Sequence, residues 1–292
     1  MHWKAFFAVL GLCVGMGAAA QTAQMDPALL GKATAGDAQS QYLVGLACLE
    51  GKGVAQDATQ AAAWFRKAAD QGHARAQDEL GVLYHTGQGV ERNDAQAAAW
   101  YGKAAHQGLA AAQVHLGALY DHGEGVKQDD AAAAEWYRKA ALQGSAEAEY
   151  NLGTLYERGL GVPQSYTQAA DLYRLAATQG NASAQFNLAL LYDNGQGVQR
   201  DYAEAAKWYN KAADQGVPRA QYNLGSMYVS GDGVPRDLAE AYYWLALAAG
   251  TWDGERQQQA IAARDKVGAH LTAAELFSAQ QRAAKWLAAH KQ

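Results

Sequence analysis

The stretch GSAEAEYNLGTLYERGLGVPQSYTQAADLYRLAATQG, residues 144–180, decides the fold. Two helical patterns lie in it, parted by a glycine pair. In the first, Ala148, Leu152 and Tyr156 recur every four residues, which places them on one helix face. In the second, Ala169-Ala170, Leu172-Tyr173 and Ala176-Ala177 recur at three- and four-residue steps, again one face. Gly159 and Gly161 stand where the first helix ends and the chain must turn left-handed. Ser165, just beyond, is a residue type that caps helix N-termini.

The same unit extends in both directions. Gly36, Gly72, Gly108, Gly144, Gly180 and Gly216 are each 36 residues apart. G-x-G-V loops follow at the same period, from Gly51/Gly53 to Gly231/Gly233. A third set comprises Gly45, Gly81, Gly117, Gly153 and Gly225, with Ala189 in the odd repeat. These sets account for most of the 31 glycines, so the glycine excess is architecture and not flexibility. Asp57, Asn93, Asp129, Ser165, Asp201 and Asp237 recur as caps of the second helix. Trp64, Trp100, Trp136, Trp208 and Trp244 share one position, with Leu172 in the fourth repeat, and are expected to fill the core beside the Tyr84/Tyr120/Tyr156 column.

One helix pair cannot bury its apolar face alone, so neighbours must stack. The expected fold is all-α: an α/α solenoid of six 36-residue helix pairs over residues 37–252. An N-terminal capping helix is expected within residues 21–36, where Pro27 suits a first turn. Two C-terminal capping helices are expected within residues 253–292, the last opened by a Thr272/Glu275 capping box.

The 36-residue period, the Y-N-L-G-x-L-Y segment, the G-x-G-V loop and A-A-x-W-Y-x-K-A-A-x-Q-G resemble Sel1-like repeats, relatives of the tetratricopeptide repeats. The resemblance implies a non-enzymatic adaptor or scaffold. A cysteine-rich branch with β-lactamase-like or penicillin-binding activity carries a cysteine pair in each repeat, and this chain has only Cys13 and Cys48. That activity is therefore not implied here.

Residues 1–20, MHWKAFFAVLGLCVGMGAAA, have the layout of a secretory signal peptide: Lys4, an apolar stretch, then Ala18-Ala19-Ala20. Cleavage near Ala20 would give a periplasmic or secreted chain that keeps Cys48 alone, so no internal disulfide forms. The mature chain has no apolar run long enough for a membrane span. A net charge of −5 gives no electrostatic reason to bind nucleic acid.

Chemistry-bearing constellations are sparse. His85, Asp121 and His122 are the nearest approach to a metal cluster, but three or four converging ligands are needed. The loop Asp121–Asp130 lacks calcium-loop order, and no nucleophile–base pair is recognisable. Cys48 occupies the tyrosine column and reads as a small buried hydrophobe. No catalytic residue, cofactor or metal is assigned.

The informative feature is what varies. Numbering from each repeat glycine, positions +4, +5, +8, +9, +11 and +12 of the first helix are nearly invariant and fall on one side. Positions +6, +10 and +13 fall on the other and differ between repeats. They hold Tyr42, Leu46 and Leu49; Asp78, Val82 and His85; Val114, Ala118 and Asp121; Tyr150, Thr154 and Glu157; Phe186, Leu190 and Asp193; Tyr222, Ser226 and Val229. Aromatic and aliphatic groups mixed with acids suit a protein interface. The expectation is a chain, monomeric by itself, that binds a protein or extended peptide on its concave first-helix face. Tyr150, Phe186 and Tyr222 would form an exposed row. Two rivals are a β-lactam-binding or cell-wall-modifying enzyme and a glycan- or peptidoglycan-binding envelope protein.

Overall fold

A computed structural model describes residues 24–290. Among these residues there are fifteen helices and no strand. A lone helix α1 (Pro27–Thr34) precedes six helix pairs. Their first helices are α2 (Ala38–Glu50), α4 (Ala74–Thr86), α6 (Ala110–His122), α8 (Ala146–Arg158), α10 (Ala182–Asn194) and α12 (Pro218–Ser230). Their second helices are α3 (Ala58–Asp70), α5 (Asp94–His106), α7 (Asp130–Ala141), α9 (Tyr166–Thr178), α11 (Tyr202–Asp214) and α13 (Leu238–Thr251). Then come α14 (Gly254–Gly268) and α15 (Ala273–Ala289). From α1 to α14 each helix packs chiefly on its neighbours in sequence, whereas α15 passes over α14 and packs on α13. That chain of neighbours is an α-solenoid.

Local signals place the helix ends. Asp57, Asn93, Asp129, Ser165, Asp201 and Asp237 each accept a backbone N–H at the start of the second helix. Thr272 and Glu275 make the reciprocal capping box of α15. Each first helix ends on a left-handed glycine, as at Gly123 with φ of 70°. The second glycine of the pair has a different task. A Cβ at Gly125 would lie 2.1 Å from the Asp94 carbonyl carbon, and one at Gly161 2.2 Å from that of Asp130. The loop backbone thus sits directly on the opening turn of the preceding repeat's second helix.

The most deeply buried column stands beside the tryptophan column the sequence suggests, which is itself buried only in part. The residues fully withdrawn from solvent are the next ones along: Phe65, Tyr101, Tyr137, Tyr173, Tyr209 and Leu245. Each lies against the small residue twenty positions earlier, glycine in five repeats and Ala189 opposite Tyr209; a Cβ on Gly81 would come within 2.6 Å of the Tyr101 ring. Trp100, Trp208 and Trp244 are buried beside this column, at 5%, 6% and 5% exposure, as the sequence suggests. Trp64 and Trp136 keep part of their surface open, and Lys67 and Lys139 sit 4.0 and 3.9 Å from their ring centroids. The reason is angular: one residue is about 100° of helix, enough to move a ring from the glycine seam to its edge.

A buried polar ladder ties the repeats together. The Gln77 amide donates to the Ala69 carbonyl at 3.0 Å and accepts from Gln107 at 2.7 Å. Gln113 and Gln185 repeat the pattern. In the fourth repeat Glu149 takes the place of glutamine, buried and accepting from Gln179 at 2.8 Å. Burial pushes its carboxyl above the usual range.

Candidate functional site

The first-helix face is built from side chains the scaffold leaves over. Position +6 does not stand free, because it rests on the core aromatic of its own repeat. Ring centroids are 5.9 Å apart for Tyr42–Phe65 and Tyr150–Tyr173, and 5.8 Å for Phe186–Tyr209. The next repeat decides how much stays open. His73 stacks on Tyr42 at 4.8 Å, and Arg219 lies 5.0 Å over the Phe186 ring. Over Tyr150 the corresponding residues are the short Asn181 and Ser183.

The expected exposed row is corrected accordingly. Tyr42, Val114 and Phe186 are buried, at 8%, 3% and 5% exposure. Tyr150 and Tyr222 remain partly open, and the Tyr222 ring faces Trp252 at 5.5 Å. Leu46, Val82, Thr154 and Leu190 are half-buried, whereas Ser226 and Val229 are exposed. Of the remaining candidates, His85 is buried, while Asp121, Glu157 and Asp193 are partly buried.

The core tyrosines reach this face with their hydroxyls. Tyr173 Oη donates to Glu157 Oε2 at 2.5 Å and lies 3.2 Å from Thr154 Oγ1. Tyr209 Oη donates to Asp193 Oδ2 at 3.2 Å. Asn187 and Asn223, from the following repeats, lie close enough to these hydroxyls to favour the phenolate, against the larger effect of burial. Burial drives both phenols far above their ordinary range, so they remain protonated donors. These asparagines were not among the sequence candidates, although the recurring aromatic-Asn-Leu of Asn151, Asn187 and Asn223 marks them.

The second and third repeats have a different character. Asp78 meets His115 Nδ1 at 2.8 Å, and the His115 ring lies 4.8 Å from that of Tyr101. Burial opposes the imidazolium there, but the Asp78 carboxylate outweighs it and the pKa is raised. Burial, with Asp78 alongside, pushes Glu79 up to about 7. His85 meets Asp94 at 2.8 Å and lies 3.8 Å from Glu124, while Asp121 pairs with His122 at 3.6 Å. Among the described residues no group of three or more such side chains is arranged to hold a metal. Asp78–His115 and His85–Glu124 join neighbouring repeats, whereas His85–Asp94 and Asp121–His122 lie within one repeat.

Taken together, stacked helix pairs and a variable inner row define a solenoid of the repeat-scaffold class. Six consecutive segments, residues 38–73, 74–109, 110–145, 146–181, 182–217 and 218–249, match the Sel1 repeat. The chain belongs to the Sel1 repeat family, whose members generally mediate protein–protein interaction and are typically non-catalytic. It is similar to a Sel1 repeat protein from Oxalobacter formigenes, with 32% identity over 79% of this chain and 89% of that one, and a TM-score of 0.68. It also shares 30% identity with a protective antigen of uropathogenic Escherichia coli, described as displaying an SLR fold. That match spans 89% of this chain and 70% of the antigen, with a TM-score of 0.39. No curated protein is significantly similar to the chain.

Proposed function

We propose that this chain is an exported, non-enzymatic scaffold that holds a protein or extended peptide along its first-helix face. The observation that carries the reading is the division of labour within each repeat. Positions that recur are consumed by packing, as in the Gly81–Tyr101 and Gln77–Ala69 contacts. Positions that vary run along one face and keep apolar surface open at Leu46, Val82, Tyr150, Leu190, Tyr222 and Val229. A solenoid presents such a row as an extended binding surface, and half-open aromatic and aliphatic groups are what anchors are made of.

Export rests on the sequence of residues 1–20, which lie outside the described residues. Among the described residues no helix is long and apolar enough to cross a membrane. Replacing Leu190 and Tyr222 with Glu and Ala tests the face. Both side chains are partly open, so the double variant should keep its melting temperature within a few degrees and lose its partner. A folded double variant that holds the partner as the parent does removes the reading.

A further inference from the structure

The six repeats end at the C-terminal end of the first-helix face. There α14 stands in for a seventh first helix, with Gln257 donating to the Ala249 carbonyl at 3.1 Å as Gln221 does to Ala213, and a cavity of about 330 Å³ lies between it and the last repeat. Ser226 and Val229 of α12 form one wall, so the cavity continues the row described above. Leu245 and Val267 are its buried apolar floor, with Leu238 and Ala263 beside them. Arg236, Lys266 and His270 stand exposed at the rim.

Two properties narrow what fits. The size is at the small end of ligand pockets, which run roughly 300–1,000 Å³, so it suits one residue and not a cofactor. The charge is one-sided: no acidic side chain lines the cavity, although the chain as a whole carries −5. The nearby acids are engaged elsewhere, Asp265 with Arg264 at 2.6 Å and Glu240 with Arg282. Arg236 Nε donates to the Val229 carbonyl at 3.1 Å, which holds the guanidinium at the rim.

We infer that this cavity takes the C-terminal residue of the bound polypeptide, its apolar side chain on the Leu245/Val267 floor and its free carboxylate against Lys266, Arg236 and His270. The inference rests on the reading that the first-helix face binds a polypeptide, and it makes that face directional. The partner's chain would end at the last repeat.

The test uses N-acetyl-leucine and N-acetyl-leucinamide as probes, added to the full chain and followed by methyl NMR. The acid should shift the Val229, Leu238, Leu245 and Val267 methyl resonances and bind about tenfold more tightly than the amide, as one charge-assisted contact requires. Lys266→Gln should erase that preference. Val229→Trp, a substitution at an exposed position, should fill the cavity and abolish both titrations. No shift at these methyls, equal affinity for acid and amide, or a preference that survives Lys266→Gln overturns the inference. A partner lost on Leu190→Glu but retained in full on Val229→Trp overturns the cavity alone. Contacts confined to the second-helix side sink the face reading itself.

Discussion

Alanine at Gly125 and alanine at Gly123 make a matched pair of perturbations. Both glycines belong to the loop after α6, with φ of 68° and 70°, so both variants meet the same left-handed backbone penalty. That penalty is roughly 1–2 kcal/mol. What differs is the space. A Cβ on Gly123 meets the Gln128 Cβ at 3.1 Å, a tight contact that a shift of a few tenths of an ångström in the loop relieves. A Cβ on Gly125 would sit 2.1 Å from the Asp94 carbonyl carbon and 2.2 Å from its oxygen. Backbone at a capped helix start does not give way, so the loop must lift off the preceding repeat. Overpacking of this kind costs about 1–3 kcal/mol more, sometimes beyond that. Gly123→Ala should therefore cost about 1–2 kcal/mol and Gly125→Ala about 2–5. Urea unfolding followed by far-UV circular dichroism measures both. Equal midpoints for the two variants would refute the claim that the second loop glycine is an inter-repeat contact.

Replacing Glu149 with Gln restores the ladder donor and should stabilise the chain by about 1 kcal/mol at neutral pH. Because burial raises the folded pKa of Glu149, its penalty is absent below the ordinary carboxylate value and complete above the raised one. Wild-type stability should accordingly fall as pH rises through that window, and Glu149→Gln should flatten the fall; parallel pH profiles for the two chains contradict this. Tyr137→Ala empties a site with 1% exposure and should cost about 3–5 kcal/mol in the same urea assay. A midpoint unchanged from wild type would mean the core column is wrongly assigned. Protein recovered from its native cells should begin near Gln21, and N-terminal sequencing that reads from Met1 would contradict export.

How much of this was legible depended on the range of the interactions. Caps at Asp57, Asp129 and Thr272 were plain because donor and acceptor lie within three residues. The helix pairs and their stacking followed from a period stated six times over. Depth was not legible. Angular counting puts Phe186 on the variable side, yet Arg219 from the next repeat covers it, and no count along α10 sees that. The same blindness favoured Trp136 over Tyr137, since only the facing Gly117 shows which ring lies at the seam. The glutamine ladder was visible as a recurring letter, but its partners are 30 residues apart, as in Gln71 with Gln41. The terminal cavity was not legible, although α14 begins 36 residues after α12 and repeats the ladder at Gln257, because the gap beside it depends on how side chains pack between helices.

Photo-crosslinking in the native cell tests the central claim most directly. A benzophenone side chain would replace Leu190 or Tyr222 on the first-helix face, and Glu135 or Asp171 on exposed positions of the second helices. The account predicts one discrete adduct from Leu190 and Tyr222 and none from Glu135 or Asp171. Adducts from Glu135 and Asp171 alone, or the same adduct from all four positions, would contradict it.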